Sequence, residues 1–148
     1  MHSFTGWKLM KRTALINSEI SYLIAKMGHF DALTVCDAGL PVPAGVQRVD
    51  LAVSQGIPSF MDTVRAVVSE MELEGVELAE EFETVSPALH KELLAFLEGV
   101  AKERGKPIPV SHVRHEQFKL NTRRSVAVIR TGEFTPYANI TLKSGVVF

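Results

Sequence analysis

The chain of 148 residues has a single cysteine, Cys36, so no intrachain disulfide holds it together. A lone thiol fits a reducing compartment, and the expected setting is the cytoplasm. Neither sign of charge is in excess: 16 basic and 17 acidic residues leave a formal net charge of −1. That balance offers no electrostatic footprint for nucleic acid or an anionic membrane, which leaves neutral small molecules and further copies of the chain as expected partners. No apolar run approaches the ~18 residues a membrane span requires. Internal repeats, low-complexity segments and linkers are missing as well. The glycines of Asp37-Ala-Gly-Leu-Pro-Val-Pro-Ala-Gly45 lack the third glycine and the following helix of a dinucleotide fingerprint, and no phosphate loop occurs elsewhere.

What is present suffices for one domain with a sizeable core, since 46% of the residues are hydrophobic and 22% charged. Met1 to Leu9 lacks the apolar centre of a signal peptide, and Met10-Lys-Arg reads as a natural start. The expected fold is therefore one domain over 10–148, with residues 1–9 and Trp7 as an extension outside it. Asn17 or Ser18 can cap a first helix ending near Met27, with Ile20, Leu23, Ile24 and Met27 on one face. Ala32 to Cys36 is a short apolar run of the kind that forms a buried parallel strand. Arg48 to Val53 alternates like a strand, and Ser59 caps a helix carrying Phe60, Val64, Val67, Val68 and Met71 on one face. Leu73 to Phe82 is open between strand and helix extension, with Gly75 favouring strand. Ser86-Pro87 opens a helix that Gly105 closes. Ile108 to Val113 carries prolines before it and within it, which confines it to a sheet edge. Glu116 to Arg123 reads as a short helix, Ser125 to Arg130 as a strand, and Asn139 to Leu142 as a strand before a turn at Lys143-Ser-Gly145. Strands and helices interleave throughout. The expected class is α/β: a three-layer domain with a mixed central sheet and helices on both faces.

The stretch Met27-Gly-His-Phe-Asp-Ala-Leu-Thr-Val-Cys-Asp-Ala-Gly39 organises the rest. Gly28 is expected to close the first helix in the left-handed region, which makes His29 the first residue beyond it. Asp37 follows the strand at its carboxyl end, where open α/β sheets place ligand groups. An imidazole and a carboxylate thus flank one rigid element. His29 has an ordinary reading as a polar residue after a helix, and Asp37 as a side chain capping its own turn. His115, in Ser-His-Val-Arg-His, reads by default as solvent-facing. Tyr137-Ala-Asn139 reads as a strand start, where alternate positions share a face, so that Tyr137 and Asn139 reach one ligand while Ala138 offers backbone. His112 and His115 invite a metal reading that fails for want of a third ligand, and no metal is expected. Cys36 is a small buried residue with nothing beside it to make it a nucleophile.

The order "MGHFDALTVCDAGLPVP", then "DLAVSQGIPSF", then "TGEFTPYANI" resembles the D-ribose pyranase family, whose sister group is the L-fucose mutarotases. The resemblance runs from Met10 to Phe148. It implies an isomerase that interconverts pyranose and furanose forms of D-ribose by opening and reclosing the ring, with no cofactor. It assigns His29 as the catalytic proton donor and Asp37, His115, Tyr137, Ala138 and Asn139 as sugar-binding residues. Asp31, though close to His29, falls outside that set. A homodecamer is implied too, and the apolar terminus Val146-Val-Phe148 is more easily explained if it packs between subunits. Because His29 and Tyr137 lie far apart in sequence, a site shared between neighbouring subunits is a further expectation. The rivals are a fucose-type mutarotase using the same proton transfers and a non-catalytic sugar-binding accessory protein of a transport system.

Overall fold

A computed structural model describes residues 10–148; the extension expected at residues 1–9, with Trp7, lies outside them. The elements, in chain order, are α1 (Ser18–Lys26), β1 (Ala32–Cys36), β2 (Gln47–Asp50), α2 (Phe60–Val68), β3 (Leu73–Ala79), α3 (Glu80–Val85), α4 (Pro87–Arg104), β4 (Val110–Val113), α5 (His115–Asn121), a 3₁₀ turn at Thr122–Arg124, β5 (Ser125–Arg130) and β6 (Ile140–Ser144).

Local chemistry accounts for most boundaries. The Asn17 side chain accepts the Ile20 N–H at 2.9 Å, and Ser59 accepts that of Asp62 at 3.1 Å, each satisfying a donor the helix start would leave free. Such caps contribute about 1 kcal/mol each. Gly105 takes φ 66° and lets Lys106 donate back to the Ala101 carbonyl, which closes α4. At nine residues, α1 and α2 are too short to stand alone in water, so their stability comes from the faces they bury: Ile20 and Leu23 in one, Phe60, Val64, Val67 and Val68 in the other.

The six strands lie in the order β2-β5-β1-β6-β3-β4. β1 and β2 both run parallel to β5, β3 runs parallel to β4, and β6 is antiparallel to β1 and to β3. Five strands therefore point one way and β6 alone opposes them. Alternation divides the side chains between the faces. Leu33, Val35, Ala127 and Ile129 join the core built with α1, α2 and α4, whereas Cys36 and Val128 join Leu40, Ala79 and the α5 residue Phe118 on the other side. The result is the expected three-layer α/β arrangement with a mixed sheet, and β4 sits at the edge, beginning just after Pro107 and Pro109.

Several expectations change. Gly28 is not left-handed: Met27 ends α1 in an extended conformation, and the positive φ of 69° falls two residues later, at Phe30. Asp31 provides the reason, since its carboxylate accepts the Gly28 N–H and turns the chain without glycine's freedom. The Leu73–Phe82 stretch divides: β3 ends at Ala79, and Phe82 is buried from a helix instead. β2 stops at Asp50, whose side chain accepts the Ala52 N–H and bends the chain out of the ladder. Lys143 and Ser144 do not turn but extend β6, because both pair with neighbouring strands.

Candidate active site

Strand direction decides what meets. The carboxyl ends of β1, β3, β4 and β5 share one rim of the sheet with the start of β6, and that rim collects Asp37, Glu81, His115, Glu133, Tyr137 and Asn139. The Asp37 backbone N–H donates to Asn139 Oδ1 at 2.9 Å, and Asp37 Oδ1 accepts the Gly39 N–H at 3.0 Å. The turn capping read from sequence is thus real, and it leaves the other carboxylate oxygen available. Burial pushes the Asp37 carboxyl above the usual carboxylate range, against the pull of the Gly39 and Leu40 backbone and of His115. The Asn139 amide lies close enough to pull the same way as His115 but closes no hydrogen bond to the carboxylate.

His115 is the first residue of α5, and its N–H donates to both carboxylate oxygens of Glu81 at 3.1 Å. Its ring meets that of Tyr137 edge to face, with centroids 4.9 Å apart. Tyr137 is not on a strand. It has φ 63°, and its carbonyl accepts the Asn139 N–H at 2.8 Å, so a tight turn about Ala138 replaces the alternation expected there. The phenol and the carboxamide reach one place through that turn rather than through a pleat. Ala138 itself is buried.

Among the described residues, two buried side-chain polar atoms lack a hydrogen-bond partner: His115 Nδ1 and Asn139 Nδ2. Leaving such a group unpaired costs about 1–3 kcal/mol, so two of them beside one carboxylate make this rim the candidate for bonding to a ligand. The combination is a carboxylate acceptor, an amide donor, an imidazole and an aromatic ring. It suits a neutral polyol, whose hydroxyls need donors and acceptors together and whose C–H face needs an apolar cover.

Residues that sequence reasoning missed hold this rim in shape. Glu133 Oε1 accepts the Phe60 N–H, its Oε2 accepts the Thr135 hydroxyl, and its carbonyl accepts the Ala38 N–H. Ser86 does not cap α4 but donates to the Pro136 carbonyl at 2.8 Å. Gly132 is required because a Cβ there would come within 2.4 Å of the Ser54 carbonyl oxygen. No spacing in the sequence signals these contacts, which join segments 50 or more residues apart for Ser86 and Glu133. A shallow pocket lined by Ala38, Val53, Arg130, Gly132 and Phe134 opens next to Asp37, while a separate apolar groove, lined by Leu15, Ile20, Leu51, Pro58 and Ala66, shares no residue with the rim.

His29 stands apart. It precedes β1, which is about 16 Å long at the usual rise per residue, so it lies at the opposite end of the sheet from Asp37. The Phe30 N–H donates to the Ser144 carbonyl at 2.8 Å and anchors this segment to the far end of β6. The His29 ring is exposed, stacks on Phe30 with centroids 3.8 Å apart, and has Glu74 Oε2 at 3.9 Å from its Nε2. Of the six residues assigned from sequence, one chain gathers five and leaves the imidazole of the sixth outside. Cys36 is fully buried with its thiol pushed up to about 12 by burial, so it stays protonated and is no nucleophile. His112 does not pair with His115; its ring faces His90 instead.

Fold and rim together describe an α/β protein whose strand ends gather groups of a kind suited to a neutral polyol. The RbsD / FucU transport protein family model matches residues 10–147, and the chain belongs to that family. It is 70% identical over 139 residues to the D-ribose pyranase of Maridesulfovibrio salexigens and 56% identical to that of Aliivibrio fischeri, in each case covering 94% of this chain and 100% of the relative. Bacillus subtilis RbsD, solved in complex with D-ribose, superposes with a TM-score of 0.81 at 42% identity, over 94% of this chain and all of that one. The fucose mutarotase of Streptococcus pneumoniae shares the fold, with a TM-score of 0.72 at 22% identity over 95% of this chain and all of that one.

Proposed function

We propose that this chain is an isomerase that interconverts the pyranose and furanose forms of D-ribose through the ring-opened aldehyde. The observation that carries the reading is the pair of unpartnered atoms, His115 Nδ1 and Asn139 Nδ2, beside the half-buried Asp37. In a chain 70% identical to a D-ribose pyranase over that relative's full length, we read that pair as the partner of sugar hydroxyls. Asp37 accepts from a hydroxyl, Asn139 donates to one, His115 does either, Tyr137 covers the ring face, and Ala138 holds the turn.

His29 serves as the acid/base group. A neutral imidazole takes the proton of the anomeric hydroxyl, the bond from C1 to the ring oxygen breaks, and the imidazolium returns the proton to that oxygen. Closure runs the same steps in reverse with a different hydroxyl attacking C1. Histidine suits both halves because its ordinary pKa of about 6.5 keeps both forms accessible near neutrality. In this reading the His29 acting at one rim comes from a neighbouring copy, which the separation along β1 supports. Exposed Phe30 and Phe134, and Val147 and Phe148 at the terminus, supply apolar surface for such an assembly, a decamer in this reading, working in the cytoplasm.

Saturation-transfer NMR on D-ribose tests the reaction: catalysed exchange between pyranose and furanose forms is expected. Exchange restricted to L-fucose anomers, or binding of ribose without faster exchange, overturns it. A mixing experiment tests the shared site. His29→Ala and Tyr137→Phe chains, each inactive alone, are expected to regain activity in mixed oligomers, and mixed oligomers that stay inactive would reject the arrangement.

A further inference from the structure

A second cluster of chemistry-bearing side chains lies at the edge of the sheet and shares no residue with the sugar site. His90, in α4, is 4% exposed, and its Nε2 lies 3.0 Å from the Nε2 of His112 on the edge strand β4. Phe82 packs edge to face on the His90 ring at 5.4 Å and fixes its orientation. Glu83, in α3, brings a carboxylate oxygen to the same place, and the three donor atoms lie within 4.8 Å of one another. Two imidazoles meeting through Nε2 can share one proton, with one ring donating and the other accepting. They can equally aim both lone pairs at an ion, each proton then residing on Nδ1.

We propose that Glu83, His90 and His112 form a binding site for a divalent transition-metal ion of the nickel and zinc class, fastening α3, α4 and β4 at the edge of the sheet. The donor set of two imidazoles and one carboxylate selects borderline ions over calcium or magnesium. With metal–nitrogen bonds of about 2.0–2.1 Å, a 3.0 Å separation sets a nitrogen–metal–nitrogen angle of roughly 91–97°. That angle fits octahedral or square-planar coordination better than tetrahedral, which favours nickel, with water completing the shell. Sequence reasoning paired His112 with His115 and found no third ligand; the fold supplies different partners, one from each of two helices.

Isothermal titration of the full chain with Ni²⁺ and then Zn²⁺ tests the site. About one ion per chain is expected, with nickel tighter than zinc and each ion raising the melting temperature. His112→Asn, at a half-buried position on the edge strand, is expected to weaken binding at least about tenfold and to abolish the thermal shift, and Glu83→Gln to weaken it less. His29→Ala is expected to bind as the unaltered chain does. Failure of the unaltered chain to take up either ion overturns the proposal, as does undiminished binding in His112→Asn or in Glu83→Gln.

Discussion

At the carboxyl end of β1, Asp37 is half-buried, held by Gly39 and by the Asn139 side chain, and faced by two polar atoms that have no partner. At the amino end of the same strand, His29 is exposed, rests against Phe30, and has Glu74 Oε2 at 3.9 Å. One end is rigid and incomplete; the other is open and loosely held. The difference follows from what each end does in the proposed reaction. Sugar recognition needs donors and acceptors fixed beforehand, because ordering them at the moment of binding would cost affinity. A proton carrier needs access to the sugar, which an exposed ring keeps.

The contrast makes its largest claim about His29→Ala. Ribose exchange is expected to slow by about 10²–10⁴-fold while the urea midpoint and ribose affinity stay unchanged, as measured by NMR, chemical unfolding and calorimetry. A rate left intact would remove the functional half of the comparison. The next effect falls on the rigid end. Gly132→Ala drives a Cβ into the Ser54 and Ile57 backbone and is expected to cost about 3 kcal/mol of stability by urea unfolding, with ribose binding lost alongside.

Asn139→Ala strips the acceptor from the buried Asp37 N–H and is expected to cost about 1–3 kcal/mol together with ribose affinity. An effect on affinity alone would show that the carboxamide does not support the turn. The smallest change has the opposite sign. Because burial raises the Asp37 pKa in the folded chain, its favourable contribution is complete below the unfolded value of about 3.9 and fades as pH rises through the folded one. Asp37→Asn escapes that loss, so at neutral pH the variant is expected to be slightly more stable, by less than about 1 kcal/mol after solvent screening, and much less active. Urea midpoints of both proteins measured across that window check the sign.

The single cysteine, the balanced charge, the capping residues Asn17 and Ser59, and the run Ala32–Cys36 all act over a few residues, and each could be read without the fold. Their outcomes, an α/β class with β1 in the middle and β4 at the edge, depend on propensity and burial that the chain expresses locally. Where two local preferences competed, reading failed: Asp31 turned the chain so that Gly28 kept a negative φ, and a helix took Phe82 from the expected strand.

From sequence the reactive residue types could be named, together with the segments that carry them. Which of them share a place was decided by strand order and direction, since β6 returning antiparallel between β1 and β3 puts Asn139 beside Asp37 and Ser144 beside His29. That pairing joins residues about a hundred positions apart, and hydrogen bonds over such separations leave no periodicity to read. The same is true of His90 and His112, which a helix and an edge strand bring face to face although neither segment hints at the other.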